Sequence, residues 1–566
     1  MEGIIRTKKC SNDCCDGEIP ITSWDIEFFK KMDVAEPTEC FDCRQQLKLS
    51  FRNERKLYHN KCGLCNKPIV AIYSPDHRLA GGTSKPYLVY CTTCWWGDGW
   101  DPLGYGRDFD FSRPAFDQIR ELHEAVPKLA LLVLGDNINS DYAHDAYRLE
   151  NCYLTFDGEQ ARDCYYGETF SHTKNCMDFF VTKECELCYE TVNCKGCYNV
   201  NFSRYSQNCS DSSFLLNCKG CKNCFGCVNL QQKEYHVFNK PYSKEEYEKI
   251  VASYGLSNHS NLVKFRSEIE AFFLGFPRKH INGIMNDNAT GDNLNNCKDT
   301  TECYDCDNLR DCKYCTNVQM GAADCYDVNI WGGDTSMVFN CVGAGAGTQN
   351  VIGSFYAGVG ANNIYHSLVC MNNNKNLFGC VGLRQKKFCI LNKQYTEAEW
   401  GPMFEKIKTY MKSTGEWGTF FPPAVSPFGY NETMAIEYYP LTKDQALERG
   451  FKWRDPDPKE YLAQTYITPE DISQVDDGIL KEILACTCCG KNFKLVPQEL
   501  KIYRQKGFPI PRKCCDCRHL DRLALRNPRK LWERNCTKCS ANISSSYAPE
   551  RPEKVYCEKC YLAEVY

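Results

Sequence analysis

Apolar positions change rhythm several times along the chain. Residues 1–100 carry them in short pieces. One of these, Trp24-Asp25-Ile26-Glu27-Phe28-Phe29, is amphipathic and matches Glu499-Leu500-Lys501-Ile502-Tyr503 near the other end. Each is followed by a proline, Pro37 or Pro511, and the pattern predicts a helical turn packed on a small ribbon. Over residues 114–126, Phe116, Ile119, Leu122 and Val126 fall on one helical face behind Pro114, which predicts a helix. Residues 129–134 are an unbroken apolar run, either helix or buried strand.

From about residue 139 the helical spacing stops. Short units built on Asn-Cys or Asp-Cys recur, as at Asp163-Cys164, Asn175-Cys176, Asn193-Cys194 and Asn208-Cys209. Further on, Cys325, Val338, Val351, Ile364 and Leu377 are spaced by 13, preceded by Asp324, Met337, Asn350, Asn363 and Asn376. Turn-rich units with a small or aliphatic residue at a fixed step predict a stacked parallel β-solenoid, with Asn at its corners. The stretch is duplicated. Residues 223–233 (NCFGCVNLQQK) align with 376–386 (NLFGCVGLRQK), and each copy runs into a capping box, Ser243-x-x-Glu246 or Thr396-x-x-Glu399. Two solenoid lobes are therefore expected at 139–281 and 282–412, each closed by a hairpin and helix. A helical connector at 101–138 precedes them. An irregular Pro- and aromatic-rich connector at 413–485 follows, with a short helix near Asp444 to Arg449.

Cysteine, at 41 residues in 566, changes this picture. A disulfide framework belongs to short secreted chains. This sequence opens MEGIIRTKKC, with no apolar signal segment and no run long enough to span a bilayer. The expectation is reduced thiols in a cytoplasm. The net charge of −4 is unevenly spread: residues 486–566 hold 17 Lys and Arg against 8 Asp and Glu.

The terminal cysteines have metal-ligand spacing. Cys486-x2-Cys489, Cys514-x2-Cys517, Cys536-x2-Cys539 and Cys557-x2-Cys560 make two four-thiolate sites. At the other end, Cys15, Cys40, Cys43, Cys62 and Cys65 repeat the spacing of Cys489, Cys514, Cys517, Cys536 and Cys539 without a gap, and Cys91-x2-Cys94 supplies the fourth pair. Cys10 can partner Cys14 or Cys15, and only Cys15 keeps the register of the second copy. The expectation is a double zinc module at 1–100 and a basic one at 486–566, holding about four Zn²⁺ in total.

Other motifs compete for chemistry. Cys185-x2-Cys188-x5-Cys194-x2-Cys197 recurs as Cys303-x2-Cys306-x5-Cys312-x2-Cys315, which is either extra metal sites or the solenoid's own step filled with small buried residues. The run Cys218, Cys221, Cys224, Cys227 lacks the final spacing and proline of a ferredoxin run, and Leu377 replaces Cys224 in the second copy. Gly343-x-Gly345-x-Gly347 lies inside the 13-residue repeat, so tight turns explain it better than phosphate binding. No histidine falls in a hydrolase or metalloprotease motif. Arg518, Arg522, Arg526, Arg529, Lys530 and Arg534, with Trp532 among them, would make a phosphate-contacting stripe on a helix; the bland reading is a solvated face with arginine caps.

The Cys-x2-Cys-Gly…Tyr…Pro…Cys-x2-Cys-Arg pattern at 486–518 resembles the probable zinc-ribbon domain family. The resemblance implies zinc at Cys486, Cys489, Cys514 and Cys517, and by internal homology at Cys15, Cys40 and Cys43. The whole chain is similar to cysteine-rich proteins of small-genome bacteria, some labelled CaiB/BaiF CoA-transferases, although no motif here carries that activity. The reading is a mainly β, non-enzymatic zinc scaffold: two parallel β-solenoid lobes flanked by double zinc-ribbon modules. Alternatives are an RNA- or DNA-binding protein using the basic module, or an enzyme with its site in the solenoid groove.

Overall fold

A computed structural model describes residues 3–76, 79–81, 86–456, 458 and 460–565. It is mainly β, with 35% strand and 24% helix. The chain divides into two compact units, and each combines segments distant in sequence. The first comprises 1–131, 281–455 and 528–532; the second comprises 132–280, 456–527 and 533–566. Each cysteine module thus shares a unit with the repeat region that is not its neighbour in the chain.

In the second unit the sheet runs in chain order from Val133–Leu134 to Lys240–Pro241. Neighbouring strands are parallel at a register of twelve: Tyr165 pairs with Met177, and Met177 with Tyr189. The first unit's sheet runs from Gly283–Ile284 to Lys393–Gln394. Its register lengthens to thirteen where the sequence steps by 13, as in Val338 to Val351 to Ile364 to Leu377. Each sheet ends in an antiparallel hairpin, Val237 opposite Lys240 and Ile390 opposite Lys393.

One backbone feature generates this arrangement. Long runs have a left-handed residue at every third position, for example Asn151, Leu154, Asp157, Gln160, Asp163, Tyr166, Thr169, His172 and Asn175. Two extended residues separate each corner from the next. A left-handed residue other than glycine costs roughly 1–2 kcal/mol, and Asn and Asp tolerate it best. They also bond one another across strands. Asn151 Nδ2 donates to Asp163 Oδ1 at 3.1 Å; Asn350 donates to Asn363, and Asn363 to Asn376, at 2.7 Å each.

The residue after each corner points inward. Cys152, Cys164, Cys176 and Cys188 follow Asn151, Asp163, Asn175 and Leu187, and all four are buried. These thiols donate to the carbonyl two residues back, as Cys176 to Lys174 at 3.2 Å. Many reach a second carbonyl nine residues on, as Cys188 to Cys197 at 3.5 Å. Thr173 makes the same two bonds, to Ser171 at 3.0 Å and Thr182 at 3.3 Å, and Ser203 donates to Asn201 at 2.7 Å. Cysteine, serine and threonine are therefore equivalent here. The position takes a small side chain whose donor adds a second bond to a carbonyl already paired in the sheet, as Lys174 O is with Leu187 N–H. In the thirteen-residue stretch Val338, Val351, Ile364 and Leu377 take the same inward place without a donor.

Two glycines of the 343–347 motif make room for rings, and the third, Gly347, takes a left-handed turn at φ +76°. A Cβ on Gly343 would lie 2.6 Å from the Tyr356 ring, and one on Gly345 2.4 Å from Trp331. Both capping boxes form: Glu246 N donates to Ser243 Oγ at 3.2 Å and Glu399 N to Thr396 Oγ1 at 3.3 Å. They start the helices Lys244–Ser253 and Glu397–Thr414. The periodic stretch behind Pro114 is the helix Ala115–Ala125. The apolar run at 129–134 falls in short strands, Lys128–Leu129 and Val133–Leu134, not a helix.

The inward positions lead to a test. Cys176→Ser keeps the donor and should cost less than about 1.5 kcal/mol, whereas Cys176→Leu overpacks the site and should cost about 1–3 kcal/mol. Denaturant unfolding of the two variants measures the difference; equal losses would show that the donor and the volume of this site do not matter.

Candidate metal centres

Four groups of cysteines converge: Cys10, Cys15, Cys40, Cys43; Cys62, Cys65, Cys91, Cys94; Cys486, Cys489, Cys514, Cys517; and Cys536, Cys539, Cys557, Cys560. Within each group all four sulfurs lie within 4.8 Å of one another. Nearest pairs are Cys15–Cys40 at 3.6 Å, Cys10–Cys43, Cys489–Cys514 and Cys539–Cys557 at 3.8 Å, and Cys65–Cys91 at 3.9 Å. A tetrahedron of sulfurs about 2.3 Å from a central ion has edges of about 3.8 Å. The donor set therefore fits a four-coordinate soft metal. At the amino end Cys15, not the exposed Cys14, joins the group.

The groups share a local construction. One pair lies on a turn or hairpin. In three of the four groups a left-handed residue follows its second cysteine: Asn66 after Cys65, Gly490 after Cys489 and Ser540 after Cys539. The other pair opens a helix. Cys40, Cys91 and Cys514 are the N-caps of Phe41–Leu49, Thr92–Trp96 and Cys515–Ala524, and Cys557 precedes Glu558–Val565. Free N–H groups and the positive end of a helix favour thiolate over thiol. Burial pushes the Cys62 thiol up, but the N–H groups of Cys65, Cys91 and Leu64 outweigh it and bring it to about 6. Cys486 and Cys536 reach about 6 by the same balance. Their partners go the other way: burial, then the neighbouring thiols, push Cys94 up to about 12. Four sulfurs this close cannot all ionise without a cation among them.

The basic residues after Cys517 do not form the expected exposed stripe. The helix ends at Ala524, ahead of Pro528, and Arg518, Arg522 and Arg526 are buried. Arg518 Nε lies 3.0 Å and Arg522 Nη1 2.7 Å from the carboxylate of the buried Asp178. Arg518 also reaches Glu499 at 3.1 Å, and Arg526 stacks 4.9 Å from the Phe180 ring. Beyond the helix, Arg529 pairs with Asp305 at 3.1 Å, Lys530 is exposed near the Trp532 ring, and Arg534 donates to the Tyr547 and Ala548 carbonyls. Three of these cations were thus drawn inward by a carboxylate and an aromatic surface that sequence spacing does not reveal.

The amino-terminal copy repeats the device. Arg44 Nε is 2.5 Å and Lys48 Nζ 2.6 Å from buried Asp327, and Gln45 Nε2 donates to the same carboxylate at 3.0 Å. Burial pushes Asp327 up, but Lys48 and Arg44 win and hold it below the ordinary carboxylate value. Burial brings Lys48 down to about 8, with Asp327 opposing. Arg44, Lys48 and Arg52 stand where Arg518, Arg522 and Arg526 stand in the second copy. Asp178 and Asp327 had no sequence signal; only the repeated basic spacing pointed to an acceptor.

Cys185, Cys188, Cys194 and Cys197, and Cys303, Cys306, Cys312 and Cys315, occupy the inward positions of the sheets and are buried. Each thiol donates to the carbonyl two residues back, from Cys306 to Tyr304 at 3.1 Å to Cys315 to Lys313 at 3.7 Å. Burial pushes Cys303, Cys306, Cys312 and Cys315 well above the ordinary thiol value. None of the eight belongs to a convergent group like the four above, among the described residues. Among those residues, too, no helix is long and apolar enough to cross a membrane.

In comparisons with known proteins, no family model matches the chain, and no curated protein matches it in sequence.

The buried carboxylates make the next prediction. Asp327→Ala strands Arg44 and Lys48 and should cost about 3–5 kcal/mol, whereas Asp327→Leu combined with Arg44→Met and Lys48→Met should recover most of that loss. Equilibrium unfolding of the single and triple variants decides it; a neutral single variant would remove Asp327 as the anchor.

Proposed function

We propose that this chain is a non-enzymatic, zinc-dependent scaffold of a reducing cytoplasm, made of two parallel β-solenoid lobes, each clamped by a double zinc-ribbon module. One observation carries the reading. In both copies a cysteine of the metal-binding geometry caps a helix, and that helix plants basic residues four and eight positions later on one buried aspartate. Cys40 leads to Arg44 and Lys48 on Asp327; Cys514 leads to Arg518 and Arg522 on Asp178. Fixing the cysteine fixes the clamp, so the metal's work here is structural.

The solenoid reading is supported by the twelve- and thirteen-residue registers, the regular left-handed corners and the closing hairpins. Four thiolates in a tetrahedron suit Zn²⁺ or iron, and zinc is the choice because the resembled ribbons bind it. The inward thiols are packing residues, since serine and threonine take the same place with the same bonds. A protein partner is favoured over nucleic acid because Arg518, Arg522 and Arg526 are occupied by carboxylates and rings rather than offered to solvent.

Elemental analysis of the natively purified protein should give about four zinc per chain and no iron. Six or more zinc would assign metal to the inward cysteines, and iron with visible absorption would overturn the scaffold reading. A chelator should release the metal and make the helices after Cys40 and Cys514 sensitive to protease; a chelated chain as resistant as the native one would contradict a structural role. Mixed RNA and DNA should give no shift at low salt, and a shift lost on replacing Lys530 and Arg534 would favour the nucleic-acid alternative.

A further inference from the structure

The first unit buries three basic side chains at one turn, away from the cysteine groups. His123 closes the helix Ala115–Ala125, Lys128 lies just after it, and Lys452 precedes the strand Trp453–Arg454. They are 4%, 3% and 5% exposed. The His123 ring bonds the Val425 carbonyl, and Lys452 Nζ donates to the next carbonyl, Ser426, at 2.5 Å. Lys128 Nζ donates to the carbonyl of His123 itself and to Val126 at 2.8 Å. Rings wall the place: Tyr87 lies 5.0 Å from Lys128 Nζ and 6.4 Å from the His123 ring, and Tyr73 stacks on Phe428 at 5.3 Å.

No carboxylate pairs with Lys128 or Lys452 within 4.0 Å, among the described residues. Glu124 is the acid nearest in sequence to His123, and it is held by Arg120 at 3.3 Å. The carboxyl end of the helix offsets part of the Lys128 charge, and Glu124, beyond contact distance, favours the charged form of both lysines. Each ammonium carries three N–H donors, so Lys128 has one to spare and Lys452 two. His123 Nδ1 is buried without any partner. Burial brings Lys128 down to about 7 and Lys452 to about 8, with Glu124 opposing in each case.

The geometry points to a binding site for a small anion, halide or compact oxyanion, held by Lys128, Lys452 and His123. Buried cations without a contacting counter-ion are costly, and an anion in contact supplies what Glu124, held by Arg120, does not. The spare ammonium N–H groups are its donors. Its charge also lets His123 Nδ1 take the proton that burial, and then Lys128 and Lys452, otherwise drive off, so binding takes up protons and weakens as pH rises through about 7–8.

The test uses the full-length, zinc-loaded protein, exchanged into sodium gluconate as a bulky anion of matched ionic strength. Sodium chloride and sodium phosphate are titrated separately, following thermal unfolding at pH 6.5 and 8.5. The expected result is a saturable rise in Tm with at least one of them, at least fivefold weaker in apparent affinity at the higher pH. A response to chloride alone identifies a halide site; a response to phosphate alone identifies an oxyanion site. Lys452→Met removes a buried charge, should remain folded, and should abolish the saturable rise. Lys128→Met is the second variant if the first does not fold. Calorimetry in two buffers of different ionisation enthalpy should show proton uptake on binding. A response no larger than in gluconate, or one unchanged in both lysine variants, would overturn the site.

Discussion

The β regions depend on a left-handed corner at every third residue. This single constraint explains their composition. It selects Asn, Asp and Gly at the corners, because other side chains meet their own carbonyl there. It leaves only two extended residues per side, so the interior is narrow and is filled by ladders of single side chains, mostly cysteine in one stretch and Val338, Val351, Ile364 and Leu377 in another. It also brings carbonyl groups, already bonded along the sheet, within reach of the inward side chains, where a thiol or hydroxyl adds a second bond. Cysteine is large enough to fill the space, apolar enough to remain buried and able to donate. The abundance of this residue in the repeats is thus a packing result, with no need for disulfides or metals there. The corners occupied by Leu, Val, Phe or Tyr carry the strain that the Asn ladders and the continuous backbone pairing offset.

The cysteine modules obey the opposite rule. Their sulfurs gather in groups of four, half of each group sits at helix starts, and several sulfurs accept backbone N–H groups: Cys62 from Cys91 at 3.3 Å, Cys536 from Cys557 at 3.2 Å. In the repeats the thiols donate to carbonyls, some sulfurs also accept, as Cys176 does from Cys188 N–H at 3.3 Å, and burial pushes thiols such as Cys303 and Cys306 up. In the modules the sulfur accepts and the surroundings help take the proton off. The same residue therefore does two jobs in one chain, and the convergence of four sulfurs tells them apart.

Much of this was legible in the residues. The thirteen-residue step, the Asn or Asp preceding most of the inward positions and the duplication between the two copies carried the parallel pairing and its closing hairpins. The Cys-x2-Cys spacing carried the four convergent groups, and internal homology preferred Cys15 over Cys14. Two things could not be read. The first is which module packs with which repeat region, because periodicity describes a sheet and not what covers it. The second is the fate of the basic residues. Arg518, Arg522 and Arg526 have the spacing of an exposed stripe, and only Asp178, some 340 residues earlier, turns that face inward. A helix face with cations at every fourth position is ambiguous until the surface opposite is known.

That surface also decides which partner each module accepts. Asp25 and Glu499 occupy the same position in the two copies. Asp25 meets Lys313, both fully buried, at 2.7 Å. Glu499 instead accepts from the hydroxyls of Tyr166 and Tyr503, each at 2.9 Å, and from Arg518 at 3.1 Å. Lys313 without a carboxylate opposite it would be a buried cation with no partner, and Tyr166 without Glu499 would lose its acceptor. Mismatched seating is penalised by stranded polar groups rather than by weaker apolar contact, and such penalties reach several kcal/mol each. Two modules descended from one sequence can thus keep separate seats by changing a few buried polar residues, while their cysteine frames and basic helices stay alike.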